Sequence, residues 1–201
     1  MGDLRRTVLS LMLLGDGQVG KTSLILKLTG NEFNDSQLTT VGKESYIYQA
    51  NLHGYDLKMK IWDTAGQERF KSMSVQVIKN SDAVILVYAI NDKNSFNALD
   101  TWLNKLNDTT DISKKPIIIV GNKSDISNRE VTYEEGKIYA ESKGYHFYET
   151  SAKTGDHINE AFNDIFEQLY ETFEEEITGK KQYNAGMAIV NGKKDKKKKC
   201  C

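Results

Sequence analysis

Cysteine is almost missing from this sequence. Its two copies, Cys200 and Cys201, are the last of 201 residues, so no disulfide framework staples the body, as in a reducing compartment. Histidine is sparse. His53, His146 and His157 are scattered without the short spacings of a zinc site. No long apolar run exists either. The longest, Ala83 to Ile90, falls well short of the roughly 20 residues a membrane-spanning helix needs. A chain of this length buries about 70 % of its unfolded surface on folding, a core large enough to dispense with disulfides or structural metal. Hydrophobic residues at 39 % against 27 % charged exclude wholesale disorder.

The body also lacks excess positive charge. Residues 1–178 hold 19 basic and 27 acidic residues, a balance of −8, whereas residues 179–201 hold eight lysines and one acid, Asp195, a balance of +7. A mildly acidic body is no nucleic-acid-binding domain. The basic tail suits an anionic surface. From Gly179 the apolar period stops and Gly, Asn, Gln and Lys dominate. Residues 1–178 therefore read as one domain and 179–201 as a flexible tail.

At the other end, Arg5 and Arg6 precede the apolar run Val8 to Leu14, which mimics a short signal peptide. No small-residue cleavage site follows, so the run reads as a buried first strand. Met1-Gly2 lacks the Ser or Thr at the sixth position that myristoylation wants, because Arg6 stands there.

Apolar segments alternate in type along the chain. Val8 to Leu14 is strand-like, and Thr22 to Leu28 opens a helix with Leu24, Ile25 and Leu28 on one face. Ser45 to Leu52 and Tyr55 to Trp62, joined at His53-Gly54, read as a hairpin. Ala83 to Ile90 is apolar throughout, as a strand covered on both faces would be. Phe96, Leu99, Leu103 and Leu106 recur at helical spacing, with Asn94 as the expected N-cap. Ile117 to Val120 follows Pro116 as another strand, Tyr133 to Lys143 reads as a helix and His146 to Glu149 as a strand. Ile158, Ala161, Phe162, Ile165, Phe166, Leu169 and Phe173 form an amphipathic helix. Strands alternating with helices imply an α/β three-layer sandwich: a six-stranded, mostly parallel sheet with helices on both faces. Such sheets bind ligands beyond the carboxyl ends of their strands.

After the first strand stands Gly15-Asp16-Gly17-Gln18-Val19-Gly20-Lys21-Thr22, a match to G-x-x-x-x-G-K-[ST]. Glycines let successive backbone N–H groups turn inward on phosphate oxygens, and the following helix adds the positive end of its dipole. Lys21 is the expected point charge on the β- and γ-phosphates. The Thr22 hydroxyl is the expected Mg²⁺ ligand, a hard oxygen donor for a hard ion. Ser23 completes this phosphate-loop (P-loop) segment. The motif specifies a nucleoside triphosphate and leaves the base open.

Further along come Asp63-Thr-Ala-Gly-Gln67, Asn122-Lys-Ser-Asp125 and Ser151-Ala-Lys153. In this order, each after an expected strand, they resemble the Ras-like small GTPases over residues 7 to about 175. The resemblance implies a P-loop NTPase fold, GTP or GDP as bound nucleotide, Mg²⁺, and slow hydrolysis of GTP. Asn122 and Asp125 are implied as guanine readers. Adenine lacks the donor pair a carboxylate can accept, and a buried polar group left unpaired costs about 1–3 kcal/mol. Lys123 is implied along the base, Ala152 as an N–H donor to the guanine oxygen within Ser151-Ala152-Lys153, and Phe33 over the base edge. Asp63 and Thr40 are implied in the metal shell, Thr40 rather than Thr39 because it directly precedes Val41-Gly42. Gly66 would donate its N–H to the γ-phosphate and Gln67 would orient the attacking water. The loops around Thr40 and Gly66 would be tied by the γ-phosphate and released on hydrolysis. No arginine lies between Asn31 and Lys43, so that loop supplies no arginine finger, an element worth roughly 10³–10⁵ in rate.

Trp62 to Phe70, Lys71 to Ser74, Leu86 to Ile90 and the terminal cysteine pair are similar to the Rab branch, which directs vesicle traffic. The branch carries geranylgeranyl groups on such pairs, which makes Cys200 and Cys201 the expected lipidation sites; no C-a-a-X ending is present. One lipid chain anchors marginally and two stably. The resemblance further implies a guanine nucleotide exchange factor, a GTPase-activating protein, a GDP-dissociation inhibitor, a prenyl-transfer escort protein and effectors. It implies a monomer without nucleic-acid partners, cycling between cytosol and the cytosolic face of endomembranes. Departures fall in the partner-facing loops. Val41-Gly-Lys-Glu-Ser45 and Val77-Ile-Lys-Asn-Ser81 replace the usual sequences, and Gln18 replaces a small residue. Of the branch's aromatic triad Trp62 alone stays aromatic, with Ser45 and Ile78 at the other places. A constitutive guanine-nucleotide scaffold is disfavoured by Gln67, and a P-loop kinase or ATPase by Asp125.

Overall fold

The computed structural model describes residues 5–30, 45–64 and 75–179. Its elements run β1 (Val8–Leu14), α1 (Lys21–Leu28), β2 (Ser45–Leu52), β3 (Tyr55–Asp63), α2 (Val75–Asn80), β4 (Ala83–Ala89), α3 (Lys93–Asn97), α4 (Leu99–Thr109), β5 (Ile117–Asn122), α5 (Tyr133–Ser142), β6 (His146–Thr150) and α6 (Ile158–Thr178). The strands form one sheet in the order β2-β3-β1-β4-β5-β6. Among the described residues only the β2–β3 pair is antiparallel. That hairpin turns at His53 and Gly54, both at positive φ (52° and 84°), as a two-residue turn matched to the strand twist requires.

Strand periodicity sorts the core into two layers. On one face Leu9, Leu11 and Leu13 of β1 and Ile85 and Val87 of β4 pack with Leu24 and Ile25 of α1 and Phe162, Ile165 and Leu169 of α6. On the other face Met12, Leu14, Val84, Leu86 and Tyr88 pack with Ile78 of α2, Leu99, Trp102 and Leu106 of α4 and Ala140 of α5. Strands covered on both sides read as unbroken apolar runs, and every residue of β4 and β5 is buried. This is the α/β sheet with helices on both faces that the sequence leads one to expect.

One expectation is corrected. The helix through Phe96 and Leu106 is two elements, and Asn94 is not its cap. The Asp92 carboxylate accepts the backbone N–H groups of Asn94 and Ser95, at 3.0 and 3.3 Å. Asn94 is thus one of the groups being capped, and α4 starts afresh after Ala98. Elsewhere α5 opens on a capping box of Thr132 and Glu135. The last helix bends at Phe173 (φ −116°, ψ 19°) and continues to Thr178, past the periodic apolar set, before Gly179 ends it at φ 70°. Among the described residues no helix is long and apolar enough to cross a membrane.

Candidate functional site

Two glycines of the loop between β1 and α1 stand where neighbours leave no room. A Cβ on Gly15 (φ 148°) would lie 2.0 Å from the Val87 carbonyl oxygen, and one on Gly20 (φ 96°) 2.3 Å from Asn122 Nδ2. Gly17 is half-buried and Val19 buried, while Gln18 is exposed and takes the left-handed φ of 64°. Lys21 opens α1 and is only 5 % exposed. Its ammonium donates to the carbonyls of Gly15 and Asp16, both at 2.8 Å. Burial pushes its pKa down to about 8, against the opposing pull of Asp63 and Asp16. Ser23 sits half-buried on the next turn.

Across the loop, Thr22 Oγ1 donates to Asp63 Oδ2 at 2.7 Å, joining the start of α1 to the end of β3. Among the described residues no group of three His, Cys, Asp or Glu side chains gathers as a metal cage. The convergence here is a hydroxyl with a carboxylate, two hard oxygens of the kind Mg²⁺ takes when phosphates and water complete its shell.

A second cluster forms where β5 and β6 end. Asn122, 1 % exposed, donates Nδ2 to the Val19 carbonyl at 2.8 Å. Its Oδ1 accepts the Ala152 N–H at 3.2 Å and the Thr150 hydroxyl at 3.3 Å. One side chain thus ties the P-loop to the loops after β5 and β6. Ser151, fully buried, donates Oγ to Asp125 Oδ1 at 2.6 Å and accepts the Thr154 N–H at 3.1 Å. Lys123 stands at φ 70°. Burial lowers its pKa while Asp92 and Asp125 work the other way. Lys153 is exposed. The Ala152 N–H, assigned to guanine by resemblance, is directed at Asn122 here.

The structure therefore brings Gly15 to Ser23, Asp63, Asn122, Lys123, Asp125 and Ser151 to Lys153 together at the carboxyl edge of the sheet. Phe33, Thr40, Gly66, Gln67, Cys200 and Cys201 lie outside the described residues. In the expected aromatic triad, Ser45 stands opposite Trp62 in the β2–β3 ladder, Trp62 Nε1 donates to Ser10 Oγ at 2.8 Å, and Ile78 is buried at 2 % exposure. Two participants escaped the sequence reading. Thr150 had its signal in its place directly before Ser151-Ala-Lys153. Trp102 lies beside the periodic positions Leu99, Leu103 and Leu106 and is not among them; its signal is that a buried indole N–H calls for an acceptor. Its Nε1 reaches Asp16 Oδ1 at 3.0 Å.

Comparison with known proteins agrees with this geometry. A family model described as the Ras family matches residues 10–171. The chain is 39 % identical over 166 residues to the Ras-related protein Rab-18 of Lymnaea stagnalis, covering 83 % of this chain and 82 % of that protein. It is 37 % identical over 195 residues to human Ras-related protein Rab-17, covering 96 % and 91 %. It is 34 % identical over 187 residues to Ras-related protein SEC4 of Saccharomyces cerevisiae, covering 93 % and 83 %.

Proposed function

The chain belongs to the Ras family, in its Rab branch, and from that premise we propose how its own residues carry the activity. It is a Rab-like small GTPase of membrane traffic, which binds guanine nucleotide, hydrolyses GTP to GDP and phosphate, and works with regulators and effectors. Residues 1–178 are the GTPase domain and 179–201 a basic tail.

The observation that carries the site assignment is the Asn122 side chain, which joins Val19 of the P-loop to Thr150 and Ala152. It joins the loop read as the triphosphate cradle to the strand ends beside Asp125, and so supports reading the two as one site. Backbone N–H groups of Gly15 to Gly20 hold the phosphates, and Lys21 adds its charge. Thr22 and Asp63, with Thr40, hold Mg²⁺, which when bound neutralises charge developing on the phosphate oxygens. Asp125 accepts the N1–H and exocyclic amine of guanine, and Lys123 and Phe33 flank the base. Asp125 is exposed in the free chain, so adenine laid over it would strip water from the carboxylate and return no donor pair, and a polar group left so costs about 1–3 kcal/mol, more when charged. Gly66 donates to the γ-phosphate and Gln67 orients the water that attacks it. The bond from γ-phosphorus to the bridging oxygen breaks, and GDP and phosphate leave.

Turnover is slow until an activating protein supplies charge from outside, with Gly17 leaving room for its insertion. An exchange factor releases GDP. Geranylgeranyl groups on Cys200 and Cys201, delivered with an escort protein and extracted by a GDP-dissociation inhibitor, hold the monomer on the cytosolic face of membranes. Tail lysines add roughly 1 kcal/mol each near anionic lipid, less as salt screens them. Serine at both cysteines is expected to leave nucleotide binding intact and move the protein from membranes to cytosol in fractionated cells.

The direct test of the site is the nucleotide that co-purifies with the chain. GDP or GTP, released by a magnesium chelator, is the expected result. Adenine nucleotide in its place would refute the role given to Asp125.

A further inference from the structure

Asp16 is the one acidic residue among Gly15 to Thr22, next to where phosphates would gather. Left loose, its carboxylate would repel the ligand the loop is built for. It is not loose. Its Oδ1 accepts the indole N–H of Trp102 at 3.0 Å, and its backbone carbonyl accepts Lys21 Nζ at 2.8 Å. Trp102 itself is 4 % exposed and belongs to the core layer that contains Ile78 of α2, Met12 and Leu14 of β1, and Leu99, Leu103 and Leu106 of α4. The P-loop is thereby pinned from two directions, by Asn122 at Val19 and by Trp102 at Asp16.

We propose that Trp102 is a positioning residue for the P-loop. Its N–H anchors the Asp16 side chain to α4 and holds the loop in one shape, and so slows nucleotide release. The inference rests on the reading of this site as a guanine-nucleotide pocket. A hydrogen bond to a charged group is worth roughly a ten- to hundredfold change in an equilibrium, and a half-buried carboxylate such as Asp16 keeps the lower end of that range or less. Because α2 and α4 share a core with the indole, the same bond connects the loop to the helix that follows Gln67 in the chain.

The test uses the full chain loaded with a fluorescent GDP, with dissociation followed after excess unlabelled GDP is added. Trp102→Phe keeps an aromatic ring, smaller than the indole, and removes the donor; Leu106→Ala controls for the lost volume. Asp16→Ala removes the acceptor. Either is expected to speed release, by about three- to tenfold for Trp102→Phe, and the double variant should release no faster than the faster single one, because both break one bond. Leu106→Ala thins the same core without touching Asp16. It should lower the melting midpoint while leaving release within about twofold of wild type. The environment of Trp102 is read separately in a Trp62→Phe background, where it is the only tryptophan left of two. There Asp16→Ala should shift its emission. Unchanged release in Trp102→Phe, or additive effects in the double variant, overturns the proposal while the pocket reading stands. A wild-type chain that retains no guanine nucleotide overturns both.

Discussion

Arg6 and Lys21 flank opposite ends of β1, and each is held by oxygen atoms, yet the two ends treat a cation differently. At the amino end the Arg6 guanidinium pairs with Asp82 and with Glu176 and lies over the Phe173 ring at 3.9 Å. Its backbone N–H donates to the Glu176 carbonyl, and Asp82 also accepts the Ser10 N–H at 2.8 Å. Lys115 nearby donates to the Ser81 carbonyl. The Arg6 charge there is matched by carboxylates, and β1, the start of β4 and the end of α6 are closed onto each other. At the carboxyl end Lys21 meets two backbone carbonyls, and Asp125 meets a serine hydroxyl. These partners orient the groups without cancelling their charge. One edge of the sheet is thus built to hold the fold, and the other carries the residues proposed to bind nucleotide.

The sharpest way to break that contrast is Asp125→Asn. Guanine nucleotide affinity should fall by about 100-fold, close to 3 kcal/mol, with the preference for GTP over ATP collapsing in competition titrations. The nucleotide-free chain should melt within about 2 °C of wild type. A large drop in melting temperature would show that Asp125 holds the fold rather than the ligand. The converse variant, Arg6→Ala, strands the Asp82 carboxylate, which is only 13 % exposed. After discounting for the more exposed Glu176, the cost is about 2 kcal/mol, or about 4–8 °C for a domain of this size. GDP release should stay within about twofold of wild type, since no contact of Arg6 reaches the P-loop.

What the chain reveals without a structure follows the same division. β1, β4 and β5 are legible because burial on both faces leaves an apolar run, and the P-loop is legible because its glycines answer to fixed neighbours, Val87 and Asn122. Spacing along one strand or helix carries that information. It does not carry which side chain crosses from one element to another. The Asp92 cap outcompetes Asn94 through three-dimensional reach. Asn122 proves to be a brace as well as a candidate base reader, and Trp102 meets Asp16 across 86 positions of sequence. Both are polar atoms on buried residues, whose partners become visible only when the chain is folded.

Tyr88 tests whether the middle of the sheet obeys either rule. It is fully buried, its hydroxyl has no hydrogen-bond partner among the described residues, and burial holds its pKa far above the usual phenol value. A Cβ on Gly121 or Gly136 would come within 2.7 or 2.3 Å of that hydroxyl, so the two glycines form its slot. Tyr88→Phe removes an unsatisfied donor and keeps the ring. It should stabilise the fold by about 1 kcal/mol, read as a rise of about 2–4 °C in thermal melting. A loss of stability would mean that the hydroxyl packs better than it hydrogen-bonds.

The smallest expected effect concerns a surface charge that belongs to neither edge's network. Glu135 accepts Lys93 Nζ at 2.5 Å, the Thr132 backbone N–H at 2.8 Å and the Thr132 hydroxyl at 2.9 Å. These contacts, the lysine foremost, hold its carboxyl at about 2, against about 4.3 in an unfolded chain. A folded pKa below the unfolded one stabilises the protein at pH values above the unfolded pKa. The contribution fades as pH falls from about 4.3 through 2, where the folded carboxylate also takes up its proton. Glu135→Gln should therefore melt slightly below wild type at pH 7, with the gap narrowing between pH 4.5 and pH 2 and shrinking in high salt. Because the pair is exposed, the gap at pH 7 should be smaller than the one produced by Arg6→Ala. A gap of equal size would show that the capping box, and not burial beside Asp82, sets the worth of an ion pair in this fold.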